Sequence, residues 1–310
     1  TNLVGSAYNA TFVLAKTELL ADSSGTMVEL KSEEHNWILA AEWAESIGVD
    51  IISSSLGYKS FTDFPDSSYS YAMLNGDSAL ITQAADYASQ LGIIVVTAIG
   101  NITYPTTRPD TTILAPADGD SVIAVGGVDY MLLDTLEYAW WEGSTSGSAV
   151  GPTADGRKKP DVLAPWTAYT LNPHYTEGDT SEPDFIYSEG TSVGTALTAG
   201  LIALLLEGHP SWKGDPMYIL DILQRTAVEL VPHPLDSTTF YPVPNGVEAM
   251  FLEEPEVIPS PTTCLLNPYP NPFSISAHTT VYLPFILRET SYPFIRIYTC
   301  LLYTSPSPRD

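Results

Sequence analysis

Apolar residues at helical spacing alternate along this chain with short β-branched runs. Trp37, Ala40, Ala41, Ala44 and Ile47 recur on one helix face, Gly48 ends that helix, and "DIISSS" (Asp50 to Ser55) follows as a buried strand. A second unit repeats the first. Asp77 or Ser78 caps a helix carrying Leu80, Ile81, Ala84, Ala88 and Leu91, Gly92 supplies a left-handed stop, and "IIVVTA" (Ile93 to Ala98) is the next strand. "TFVLAK" (Thr11 to Lys16) and "VIAVGGVD" (Val122 to Asp129) are further apolar runs, and near-continuous hydrophobicity predicts strands covered on both faces. Two more helices, Thr195 to Glu207 and one with Asp215 as cap and Pro216 at its first position, complete the pattern near Leu252. The expectation is an α/β domain over 1–252, with a mainly parallel central sheet between layers of helices.

Past that point the pattern changes. "EEPEVIPSPTT" (Glu253 to Thr263) is acidic and proline-rich and reads as an extended linker, assigned to 253–268. "TTVYLPF" and "FIRIYT" predict two short strands, a partial β module over 269–299. "CLLYTSPSPRD" (300–310) departs from that pattern and reads as a non-native remnant. With no initiator Met or signal peptide at Thr1, the chain is taken for a fragment.

Charge narrows the partners. With 37 acidic against 12 basic residues and a formal net charge of -25, the surface repels a phosphate backbone, so nucleic acid is not an expected partner. No D-x-D-x-D-G loop indicates calcium, although an acidic surface leaves that ion open, and no cofactor is expected. Cys264 and Cys300 are too few and too late for a disulfide framework or a cysteine zinc site, which leaves a single bridge between them open. The apolar run Leu201 to Leu206 is shorter than the roughly 20 residues of a membrane span and predicts a buried helix.

Open α/β sheets bind ligands outside the carboxyl ends of their strands, which directs attention to the residues after Ser55, Ala98 and Asp129. In "SEGTSVGTALTAG" Ser192 stands at the mouth of an apolar helix, where N–H groups and the positive dipole end can receive an oxyanion; a plain N-cap is the simpler role for such a serine. Asn101, in "AIGN", leaves a strand end and can donate to the same charge, or serve only as a turn residue. Ser55, Leu56 and Gly57 leave the other strand in "SSSLGY", with a glycine that permits close approach of an extended peptide.

Together these residues resemble the subtilisin-like serine peptidases, the subtilases. The family's serine motif reads GTSxAxPxxAG; Gly190, Thr191, Ser192, Ala199 and Gly200 match it, while Gly194 and Ala196 stand where Ala and Pro are usual. "VDIISSSLG", "IIVVTAIGN", "APADGDSVIAVGGVD" and "GPTADGRKKPDVLAP" are similar to further family segments in the same order. The resemblance implies a three-layer subtilisin-like fold, a serine endopeptidase acting on polypeptide, Ser192 as nucleophile, and an oxyanion hole from Asn101 and the Ser192 N–H. It also implies an Asp in a D-x-G context and a His in HGTxVAG, and neither motif occurs here. His35, His174, His209, His233 and His278 sit in contexts unsuited to replace that histidine. The base is therefore expected outside the chain, and the fragment itself is expected to be nearly inactive.

Two rival readings have different signatures. "GTSVG" also satisfies the G-x-S-x-G nucleophile elbow of esterases, with "DFIYSE" as the strand before it. A subtilase-like module that binds without catalysis is the other. "YPNPFSISAHTTVYLP" (Tyr269 to Pro284) resembles the C-terminal β-sandwich modules of secreted bacterial enzymes, which implies secretion or surface attachment and a partner in that machinery.

Overall fold

The computed structural model describes residues 5–19, 28–102, 113–129, 137–138, 147–172, 183–233, 236–252, 264–265 and 285–286. The chain divides into two compact units, Thr1–Leu252 and Glu253–Asp310. In the second, the described residues form an antiparallel pair, Cys264–Leu265 with Phe285–Ile286; the linker, most of the predicted β module and 300–310 lie outside the described residues.

In the first unit the elements run α1 (Lys31–Ser46), β1 (Ile51–Ser54), α2 (Leu80–Gln90), β2 (Ile94–Ala98), β3 (Asn101–Ile102), β4 (Ile123–Asp129), β5 (Glu137–Tyr138), β6 (Gly147–Ser148), β7 (Val162–Pro165), β8 (Thr167–Leu171), β9 (Phe185–Glu189), α3 (Thr191–Gly208), α4 (Pro216–Arg225), β10 (Glu229–His233), β11 (Asp236–Val243) and α5 (Gly246–Met250). Strands β1, β2, β4 and β7 lie side by side in parallel, with β5 added antiparallel at the end of β4. This is the three-layer α/β fold. Alternation along β2 sends Val95 into a core with Trp37 and Ala41 of α1 and Ile81, Ala85 and Ala88 of α2. Its neighbours Ile94 and Val96 face Ala199, Ile202, Leu205 and Leu206 of α3 and Ile219 and Leu223 of α4.

Several helix ends follow the local chemistry read from the sequence, and the start of α2 does not. Gly48 and Gly92 hold φ of +75° and +92°, the left-handed stops that the sequence predicts. Asp215 accepts from the Tyr218 N–H as the cap of α4. Neither Asp77 nor Ser78 caps α2: both give their N–H to Asn75 Oδ1, and Ala79 is the N-cap. Along this helix Leu80 and Leu91 are exposed while Thr82, Asp86 and Ser89 are buried.

One expected strand is absent. Residues 11–16 belong to no ladder, and Phe12 and Leu14 are 70% and 87% exposed. An apolar run becomes a buried strand only where a free edge and two covering layers receive it, and none meets it here. Helix α3 also begins four residues before the predicted Thr195. At 18 residues it is, by length and composition, the one helix among the described residues able to cross a membrane; Ile202 and Leu205, fully buried in the core, place it there instead. Gly194 lies in its first turn, against the sheet. A Cβ there would lie 3.2 Å from Ala164 Cβ and 3.4 Å from Val125 Cγ1, so glycine lets α3 press onto the sheet.

The "GPTADGRKKPDVLAP" stretch acts as a clamp. Arg157 donates to the carbonyls of Asp118 and Gly119 and pairs with Asp120 and Asp155. Lys159, buried, pairs with Asp161 at 2.6 Å, and Asp161 accepts the Ala124 N–H, tying β4 to the start of β7.

Candidate active site

Strands β1 and β2 end side by side, and the first turn of α3 approaches the same rim. A cleft of about 280 Å³ opens there, lined by Ser55, Leu56, Gly57, Tyr58, Ala98, Gly100, Asn101, Leu114, Thr191 and Ser192, with Glu18 and Glu29. Every site residue predicted from sequence except Gly190 therefore lines one cavity. Gly190 stands directly behind it, where a Cβ would come 2.7 Å from Asn101 Nδ2, and its φ of +124° disfavours any side chain.

The local bonds fix orientation. The Thr191 N–H and hydroxyl each donate to Asn101 Oδ1 at 2.8 Å, so the carboxamide oxygen is engaged and its NH₂ is left as the donor end. Ser192 is not an N-cap: Gly190 takes that place, with no side-chain cap, and Ser192 is the second residue of the helix. Thr191, Val193 and Gly194 all find acceptors for their N–H groups, whereas that of Ser192 finds none among the described residues. Ser55 Oγ donates to the Ser192 carbonyl at 3.1 Å, joining the end of β1 to the serine turn. Opposite, Leu114 packs where side chains at Gly57 or Gly100 would sit, and a two-way backbone bridge between Tyr58 and Ala115 holds that wall.

Sequence reasoning missed the acidic wall. Carboxylate oxygens of Glu18, Glu29 and Glu33 lie within 4.8 Å of one another, the arrangement among the described residues best able to hold a metal ion. Burial first, then Glu18 and Glu33, push Glu29 up to about 7. The Tyr58 hydroxyl donates to Glu18, and burial followed by that bond pushes Tyr58 well above the usual phenol range. Glutamates 11 and 15 positions apart carry no periodic signal; only the meeting of an extended segment with the entry to α1 assembles them.

No described histidine lines the cleft. His35 is exposed on α1, while His209 bonds the Met250 carbonyl at 2.7 Å and stacks on Trp212. His174 and His278, and the His233 side chain, lie outside the described residues. The esterase elbow is not favoured: β9, which leads to Ser192, pairs antiparallel with β8 and is no part of the parallel sheet.

A parallel sheet between helix layers, with a serine-bearing helix start and a carboxamide at its carboxyl rim, defines a three-layer α/β protein of subtilisin type. The chain belongs to the subtilase family, whose model, Peptidase_S8, matches residues 1–248. It is 31% identical over 231 residues to Subtilisin DY of Bacillus licheniformis, covering 74% of this chain and 65% of that protein. It is 30% identical over 200 residues to Subtilisin J of Geobacillus stearothermophilus, covering 64% and 41%, and 32% identical over 145 residues to Serine protease AprX of Bacillus subtilis (strain 168), covering 44% and 30%. The chain thus spans less than two thirds of the length of these relatives.

Proposed function

We propose that this chain carries the nucleophile and oxyanion hole of a serine endopeptidase. Ser192 Oγ adds to a peptide carbonyl carbon, and the negative oxygen is received by Asn101 Nδ2 and the Ser192 N–H. The C–N bond then breaks, the amine leaves with the proton taken from Ser192, and water releases the acyl group. The general base and its carboxylate partner come from outside these residues, and the reaction so written draws on no cofactor. One observation carries the reading: Thr191 engages the Asn101 oxygen, so the amide donor and the unbonded N–H of Ser192 border the same cleft. Peptide lies extended along Ser55, Leu56 and Gly57. Export to the medium or the cell surface, with the C-terminal module engaging the attachment machinery, completes the proposal.

The test is a fluorophosphonate probe on the full-length protein. Labelling that Ser192→Ala abolishes, with turnover down about a millionfold, is the expected result. Labelling that survives Ser192→Ala, or none in the wild type, removes Ser192 from the mechanism. Asn101→Ala is expected to lower kcat about a hundred- to a thousandfold, a magnitude already known for this family, and an unchanged kcat would dismiss Asn101.

A further inference from the structure

We propose that the acidic wall makes this cleft select a peptide bearing a lysine or arginine side chain near the scissile bond, with Glu18 and Glu29 receiving the cation. The inference rests on the cleft being the peptide site, and adds the class of substrate it takes.

The three clustered glutamates have different tasks. Glu33 is fully buried, and its two oxygens accept the Leu19 and Leu30 N–H groups at 2.6 Å, which closes the start of α1. It is a structural group. Glu18 uses Oε1 for the Tyr58 and Thr17 hydroxyls, and Oε2 accepts no hydrogen bond among the described residues. The Glu29 carboxylate accepts none there either, although both residues line the cavity that contains Ser192. Lys31, the cation at the start of the same helix, is committed to Glu34 and Tyr69. Two half-buried carboxylates thus face the cleft with no described cation opposite them.

Half-buried like charges are unfavourable until a cation enters, and a peptide offers that cation on lysine or arginine. The cleft suits one long side chain: Leu56 and Leu114 line it and can cover an aliphatic stem while the carboxylates take the charged head.

The experiment uses the full-length enzyme and peptides identical except for Lys, Arg, norleucine or Glu at each of four positions before the scissile bond. At one position the kcat/KM ratio of Lys to norleucine is expected to reach about tenfold, the yield of one charge pair in a partly desolvated site. The ratio should fall toward one in Glu29→Gln and Glu18→Gln, survive in Glu29→Asp, and turn in favour of the Glu peptide in Glu29→Lys. It should also rise between pH 6 and 8 as Glu29 loses its proton against Glu18 on the extended segment, Glu33 on α1 and Tyr58 after β1. A wild-type ratio near one at every position, or a ratio the variants leave unchanged, overturns the inference while the peptidase stands. Calcium binding that Glu29→Gln abolishes, with no lysine preference in calcium-free enzyme, assigns the carboxylates to a metal and overturns it too. Failure to cleave any peptide, without labelling of Ser192, defeats the peptidase reading and this inference together.

Discussion

The two faces of the central sheet are built from different chemistry. Toward α3 and α4 the core is apolar, with Ile94, Val96, Ile123, Val125, Ile202, Leu205, Ile219 and Ile222 all fully buried. Toward α1 and α2 an apolar centre is edged by buried polar groups: Glu33, Glu34, Thr82, Asp86, Ser89 and Asp118. Glu34 accepts the Ile81 N–H and the Tyr69 hydroxyl, and Asp86 accepts the N–H groups of Asp120 and Ser121. Each face ends in one wall of the cleft: the apolar one carries Ser192 on α3, and the polar one leads to Glu29 just before α1. Apolar packing is insensitive to pH and holds the proposed nucleophile in one place. A carboxylate network bonds backbone donors where no ladder exists, but it must be desolvated and it titrates.

The sharpest way to break this contrast is to hollow out the apolar face. Leu205→Ala should cost about 3 kcal/mol in urea unfolding, by lost transfer energy plus the cavity left behind, and by the same amount at pH 5 and pH 8. A cost that changes with pH would show that α3 also leans on titrating groups. On the polar face the smaller expected effect is one of slope. Burial, outweighing its two backbone donors, pushes Asp86 up to about 6 from 3.8. The folded protein therefore holds that proton to higher pH than the unfolded chain does. Stability from this group is greatest below about pH 4 and declines as pH rises to about 6, by on the order of 2 kcal/mol. In Asp86→Asn the urea midpoint should vary less than in the wild type across that interval, and an identical pH slope would remove Asp86 as the titrating group.

Much of the helix pattern on both faces was legible in sequence, because apolar spacing, a proline at the first helical position, an aspartate cap and left-handed glycines are local signals. The candidate site was legible through ordered motifs, whose residues line one cleft apart from Gly190. Ser192 was harder to read, since a serine before an apolar helix suggests a cap, and only the backbone of Gly190 shows that the helix begins earlier. The acidic wall was not legible, its members being 11 and 4 positions apart on segments with different periods.

The sequence by itself determined the alternation of helices and strands over 31–129 and the identity of the groups at the strands' carboxyl ends, since these follow from spacing and chain order. Tertiary structure alone decided that 11–16 stays out of the sheet, that Asn101 is turned by Thr191, and that Glu18 and Glu29 share a cleft with Ser192. The physical reason is that a residue carries its chemistry along the chain, whereas its orientation and charge environment depend on neighbours that only folding supplies.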